Sequence, residues 1–235
     1  MFLGSALNPR YFDKKVNLFV ALGPVTSLNN CMVEALRISS AEWPEVEYIA
    51  VKEGAYNLMD AGWLEEDAAQ AFCAELEGLC EGLLKNIADA DPSVDAMDRF
   101  NVFLKDFPAG EGYGALVYYA QSIQNTDGYR RRNFGAVKNM DKYGTIKPPF
   151  VPLDQISIPT ALFVGQYDNL ATVADNEWLV TQLNPEALVW HRTYPLGHLS
   201  FSLAKDMSYF KEDVMSLVNQ YATNVYSEEE TIATI

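Results

Sequence analysis

Two apolar runs, "IPTALFVG" at 158–165 and "ALVWHRTYP" at 187–195, stand on either side of one helix-forming stretch, "TVADNEWLVTQLN". That order constrains the fold more than any other feature of the chain. A short continuous apolar run without polar alternation reads as a strand covered on both faces, as in a parallel sheet. Parallel strands need a crossover connection, and a helix is the usual one. Thr172 is placed to cap that helix, with Asp175 in its first turn near the positive end of the helix dipole. Asp168 follows the first run in "GQYDNLA", and His198 follows the second in "YPLGHLSF". Parallel neighbours end at the same edge of a sheet. Both side chains are therefore expected to emerge together at the carboxyl edge, where α/β sheets place their sites.

Upstream, "VNLFVAL" at 16–22 ends in Gly-Pro and reads as a further buried strand, while "MFLGSAL" reads as a helix stopped by Asn8-Pro9. From about 28 to 150 the texture is helical, with amphipathic stretches near 29–38, 64–90, 93–105 and 112–124. The segment "DGYRRRNFGAVKNMDKYGTIKPPFVPL" reads as loop, with Arg130, Arg131 and Arg132 solvated in it. "AKDMSYFKEDVMSLVNQYA" closes the fold as a helix, with Asp206 at its start. The expectation is an α/β chain, the back half of a doubly wound sheet with a helical insertion. Its parts are core at 1–29, a helical cap at 30–150, core again at 151–222 and a tail at 223–235.

Charge narrows the function classes. A net charge of −15 and a pI near 4.4 disfavour nucleic acid and anionic membranes as partners. No apolar run reaches the roughly 18 residues of a membrane span, and the first residues do not read as a signal peptide. The three cysteines, Cys31, Cys73 and Cys80, make neither a zinc pattern nor a disulfide scaffold. Cys73 and Cys80 share one helical stretch. A rise of about 10 Å over seven residues puts them beyond disulfide reach unless the helix breaks between them. His191, in mid-strand beside Trp190, reads as structural.

The chemistry concentrates in Asp168 and His198. An aspartate that accepts from a histidine nitrogen fixes the ring's tautomer and stabilises the imidazolium. The chain resembles the acid lipase family of α/β-hydrolases in "VNLFVALGPV", in "FPAG" before a Gln-containing helix, in "NFGAVKNMDKYGTIKPP", in "IPTALFVGQYDNLA" and in "YPLGHLSF". These blocks run in the family's order from about residue 10 to 220. The resemblance implies that Asp168 is the triad acid and His198 the general base. It also implies that residues 30–150 form a cap and lid over a lipid cleft and make interfacial contact with lipid. Tyr118, Tyr119 and Phe134 would line an acyl pocket, although packing of the cap explains them equally well. The implied substrate is a triacylglycerol or steryl ester, the implied location is secreted or lysosomal, and no metal or organic cofactor is implied.

The chain departs from the family in three places. Ser200 stands where the family usually has Asp, Tyr118-Tyr119 stand where His-Trp is common, and no Gly-x-Ser-x-Gly elbow occurs in the sequence. Gly4-Ser5 is the nearest imitation, and it lacks the second glycine. The expectation is therefore an acid–base pair whose serine lies outside these residues. The alternative is a catalytically inactive truncated homologue that binds lipid or a partner.

Overall fold

The computed structural model describes residues 1–41, 43–52, 54, 57–58, 89–100, 102–103 and 111–222. Its centre is a parallel sheet of three strands in the order β1 (Phe19–Leu22), β4 (Thr160–Gly165) and β5 (Leu188–Tyr194). A two-residue antiparallel pair, β2 (Asn57–Leu58) with β3 (Glu111–Gly112), stands apart from it. The protein is thus an α/β fold with a small parallel sheet.

β4 is central because its sequence allows it to be covered twice. Every residue of the strand is buried. The pleat sends Leu162 and Val164 into one core with Phe2, Ala6, Ile156, Ile158 and Leu179. It sends Ala161 and Phe163 into another with Tyr194, Phe201, Tyr209 and Val214. Phe163 stacks on Tyr194, with ring centroids 5.3 Å apart. Full burial of a Leu, Val or Phe side chain is worth about 1.5–3 kcal/mol, so the four apolar side chains from Ala161 to Val164 anchor both layers.

Among the described residues β1 and β5 lie at the edges of the sheet, and both are partly exposed. The expectation that 16–22 is a strand buried on both faces is corrected here. β1 starts only at Phe19, its burial is partial, and Leu22 is 38% exposed. Among the described residues it has one neighbour, β4. β5 likewise exposes His191, Arg192 and Thr193 in mid-strand.

The crossover helix spans Val173–Gln182, and Thr172 Oγ1 accepts from the Asp175 N–H at 3.3 Å. Asp175 does more than meet the helix dipole. Its carboxylate also accepts from the main chain and side chain of Asn30, at 3.1 and 2.9 Å, and so clamps the loop after β1 onto the helix. Helix Phe2–Leu7 ends at Asn8, with Pro9 opening the next turn, as the sequence indicates.

Three helical expectations change. Helix Glu34–Ala41 starts five residues later than expected, and residues 92–99 hold two short 3₁₀ turns rather than one continuous helix. The closing helix begins with a π-helical segment, Tyr209–Val214. Residues 64–88, with Cys73 and Cys80, the "FPAG" block and the tail from 223 onward lie outside the described residues. Helix Tyr113–Gln124 forms as expected.

The basic segment is loop only in part, and its arginines are half-buried rather than solvated. It contains the helix Ala136–Tyr143, wound around buried Asn139, which donates to Asn133 Oδ1 and to the Ile146 carbonyl, both at 2.7 Å. Arg130 pairs with Asp127, donates to the Pro148 carbonyl at 2.7 Å and lies over the Phe150 ring at 3.6 Å. Arginine forks can satisfy carbonyls, carboxylates and ring faces together, and here they stitch the segment to itself.

Candidate active site

The turn after β4 and the turn after β5 are zipped together beyond the ends of the strands. Gln166 N–H donates to the Tyr194 carbonyl at 2.8 Å, and Tyr167 N–H donates to the Leu196 carbonyl at 2.9 Å. This continuation brings Asp168 and His198 side by side. His198 Nδ1 lies 2.9 Å from Asp168 Oδ2. The other carboxylate oxygen, Oδ1, accepts from the N–H groups of Leu170 and Ala171 at 2.8 and 2.7 Å. The side chain of Asp168 is fully buried and that of His198 is about a quarter exposed. With Nδ1 engaged by the carboxylate, Nε2 is the nitrogen free to exchange a proton. Burial alone would lower the imidazole pKa. The hydrogen bond to Asp168 and the charges of Asp168 and Asp89 outweigh it, so His198 is raised above the ordinary histidine value.

Two further residues adjoin the pair, and neither was singled out from sequence. Gly23 directly follows β1, at φ +56°, and extends the ladder by donating to the Phe163 carbonyl at 2.9 Å. A Cβ there would stand 2.8 Å from His198 Nδ1 and 3.1 Å from Asp168 Oδ2. Only glycine fits, both for the backbone angle and for the room the dyad needs. The Gly-Pro after an apolar run is the sequence signal that could have marked it.

Asp89 is the second. Wholly buried, it forms an isolated bridge with Asp168, while the Ala90 N–H donates to the Tyr167 carbonyl at 2.8 Å. Its Oδ1 accepts from the Leu199 N–H at 3.3 Å, and its Oδ2 has no hydrogen-bond partner. Burial and the charge of Asp95 push the Asp89 carboxyl up to about 7, against the pull of the Leu199 and His198 main-chain amides. No periodicity or motif distinguishes Asp89 in the sequence. Asp95, also fully buried, is raised by burial too, and the Ser200 hydroxyl beside it pulls the other way. Ser200 Oγ accepts from the Gly197 N–H at 2.9 Å, within the turn that presents His198.

The remaining sequence candidates fall elsewhere. The Tyr118 hydroxyl donates to the Arg130 carbonyl at 2.7 Å, and its ring meets Tyr129. Tyr119 packs in a cluster with Leu28, Cys31, Val33 and Leu170, the last two residues beyond Asp168. Phe134 meets Tyr143, with Arg132 and Lys142 over its ring. The Ser5 hydroxyl is turned onto its own helix, toward the carbonyls of Met1 and Phe2 at 3.1 and 3.2 Å. His191 lies exposed within β5, away from the carboxyl edge.

Known proteins are similar to this chain over most of its length. No protein-family model matches the chain. Lipase member K of Mus musculus is 24% identical over 209 residues, 87% of this chain and 51% of the relative. Gastric triacylglycerol lipase of the same species is 27% identical over 208 residues, again 87% and 51%. Lysosomal acid lipase/cholesteryl ester hydrolase of Rattus norvegicus is 26% identical over 216 residues, 88% and 52%. The chain spans about half the length of the curated relatives it matches. Similarity sustained over most of the chain, to proteins that are all named lipases, relates this protein to the acid lipases.

Proposed function

We propose that the chain is the acid–base half of a serine ester hydrolase acting on a lipid ester. The observation that carries the reading is the 2.9 Å contact between His198 Nδ1 and buried Asp168 Oδ2 at the carboxyl edge of a parallel sheet. In the proposed reaction a serine hydroxyl attacks the ester carbonyl while His198 Nε2 takes its proton. The same nitrogen then returns the proton to the departing alcohol, and water repeats the cycle on the acyl-enzyme. Asp168 holds the ring and offsets its charge while the proton resides there. The serine and its oxyanion donors come from outside these 235 residues, since the sequence holds no Gly-x-Ser-x-Gly. The sheet is then the C-terminal part of an α/β-hydrolase sheet, with residues 30–150 as its cap and Tyr118, Tyr119 and Phe134 beside the acyl chain. The names of the relatives support a triacylglycerol or cholesteryl ester as substrate and a secreted or lysosomal setting.

The test begins with the intact mass of the native product and sequencing of its N-terminal peptides. In the form that carries the serine, Asp168→Ala and His198→Ala are each expected to lower ester turnover by about 10⁴-fold or more. Turnover that survives either change overturns the assignment.

A second reading is favoured by one feature. β1 lies at an edge of the described sheet with only β4 as its neighbour, an arrangement that invites another strand. Under that reading the chain is an inactive module that binds lipid or a partner. It predicts fatty-acid binding by the 235-residue chain without product release from an ester.

A further inference from the structure

We propose that Asp89 is a positioning residue for His198: it ties together the two turns that carry the dyad and sets a second buried carboxylate against the turn that presents the imidazole. The proposal deepens the ester-hydrolase reading and rests on it for its catalytic meaning. Three contacts carry it. The main chain at 89–90 is bonded to the turn of Asp168, through the bridge to Asp168 and the Ala90 N–H to the Tyr167 carbonyl at 2.8 Å. The side chain is bonded to the turn of His198, through the Leu199 N–H at 3.3 Å. Between them Gly197 lies so close that a Cβ on it would overlap the Asp89 carboxylate. One residue at the start of the 89–100 segment thus holds both turns.

The charge arrangement gives this tie a second consequence. The charges of Asp95 from its own segment and of Asp168 from the turn after β4 act on Asp89, and the charge of Asp89 acts on His198 in the turn after β5. Lys205, beyond the short helix Ser200–Leu203, donates to the Ser93 carbonyl at 2.8 Å, and its charge favours ionised Asp95. Buried acids that repel one another share protons, and they ionise as a coupled set rather than singly. Asp89, pushed up to about 7, changes charge in the range where a histidine does. Its ionisation favours the imidazolium, and the imidazolium in turn favours its ionisation.

The test uses imidazole NMR titration of the 235-residue chain, in which His191 and His198 are the two histidines. In the unmodified protein His198 is expected to titrate in two steps. Asp89→Asn keeps an oxygen for the Leu199 N–H but removes the charge. It is expected to make the His198 curve single-step and lower its midpoint by about half a unit or more, with His191 unmoved. Asp95→Asn removes repulsion from Asp89 and is expected to leave the His198 midpoint in place or raise it. A single-step His198 curve in the unmodified protein overturns the proposal, as does an Asp95→Asn shift that matches Asp89→Asn in sign and size. No ester is turned over in these measurements, so their outcome is separate from that of the hydrolase reading.

Discussion

Asp168 and Asp89 are two buried carboxylates on bridged backbone, one bonded to the His198 ring and one to the turn that carries it, and they are treated oppositely by their surroundings. Asp168 has every oxygen engaged: two main-chain N–H groups on Oδ1 and the imidazole on Oδ2. Asp89 has one long bond on Oδ1 and none on Oδ2, with Asp95 as a like-charged neighbour. The first arrangement makes a fixed acceptor. The second makes a carboxyl whose charge depends on pH. Burial alone therefore does not define the role of an acid; the number of donors aimed at it does.

The sharpest break of this comparison is in turnover. In the serine-bearing form, Asp168→Asn is expected to cost about 10⁴-fold because the ring loses its tautomer control. Asp89→Asn is expected to cost under about tenfold, with the loss concentrated on one limb of the pH–rate profile. Equal losses would mean that the two acids share one role.

Gly23→Ala tests the room in front of the dyad. Backbone strain at φ +56° and the 2.8 Å approach to His198 Nδ1 together are expected to destabilise the protein by about 2 kcal/mol. Chemical denaturation measures this, and a neutral result would mean that the two turns can retreat.

The pH dependence of stability follows from the raised acids. Asp89 binds its proton up to about pH 7 in the folded protein, whereas an unfolded aspartate releases it near 4. Between those values the folded state holds more protons, so stability falls as pH rises through that window. Asp95 and Asp175 are raised as well and act in the same direction. His198, raised, adds stability that is full below the unfolded histidine value and is lost as pH rises through its folded value. The melting temperature is thus expected to be higher at pH 5 than at pH 8 by about 5 °C. Asp89→Asn should reduce that difference by raising the pH 8 value. An unchanged slope would place the pH dependence elsewhere.

The smallest effect is expected at Ser200. Its hydroxyl accepts from the buried Gly197 N–H, and Ser200→Ala should cost about 1 kcal/mol.

Much of the scaffold was legible in the residues. β4, its crossover helix and β5 follow from apolar runs whose length and composition admit few other solutions. The facing of Asp168 and His198 follows from two parallel strands ending at one edge. Edges were less legible. "VNLFVAL" is as apolar as a central strand, yet β1 is half-exposed, because exposure depends on how many neighbours a strand has and not on its own side chains. The basic segment misled for a related reason. Arginines look solvated in sequence, but the partners of Arg130 include Pro148 and Phe150, about 20 residues away.

By itself, then, the sequence determined which segments could be strands and which two side chains could meet, because period and strand polarity are local properties. Only the tertiary structure decided that Asp89 would lie against Gly197 and that Gly23 would face the imidazole. Those contacts join residues more than 100 positions apart, and no local pattern encodes the space between them.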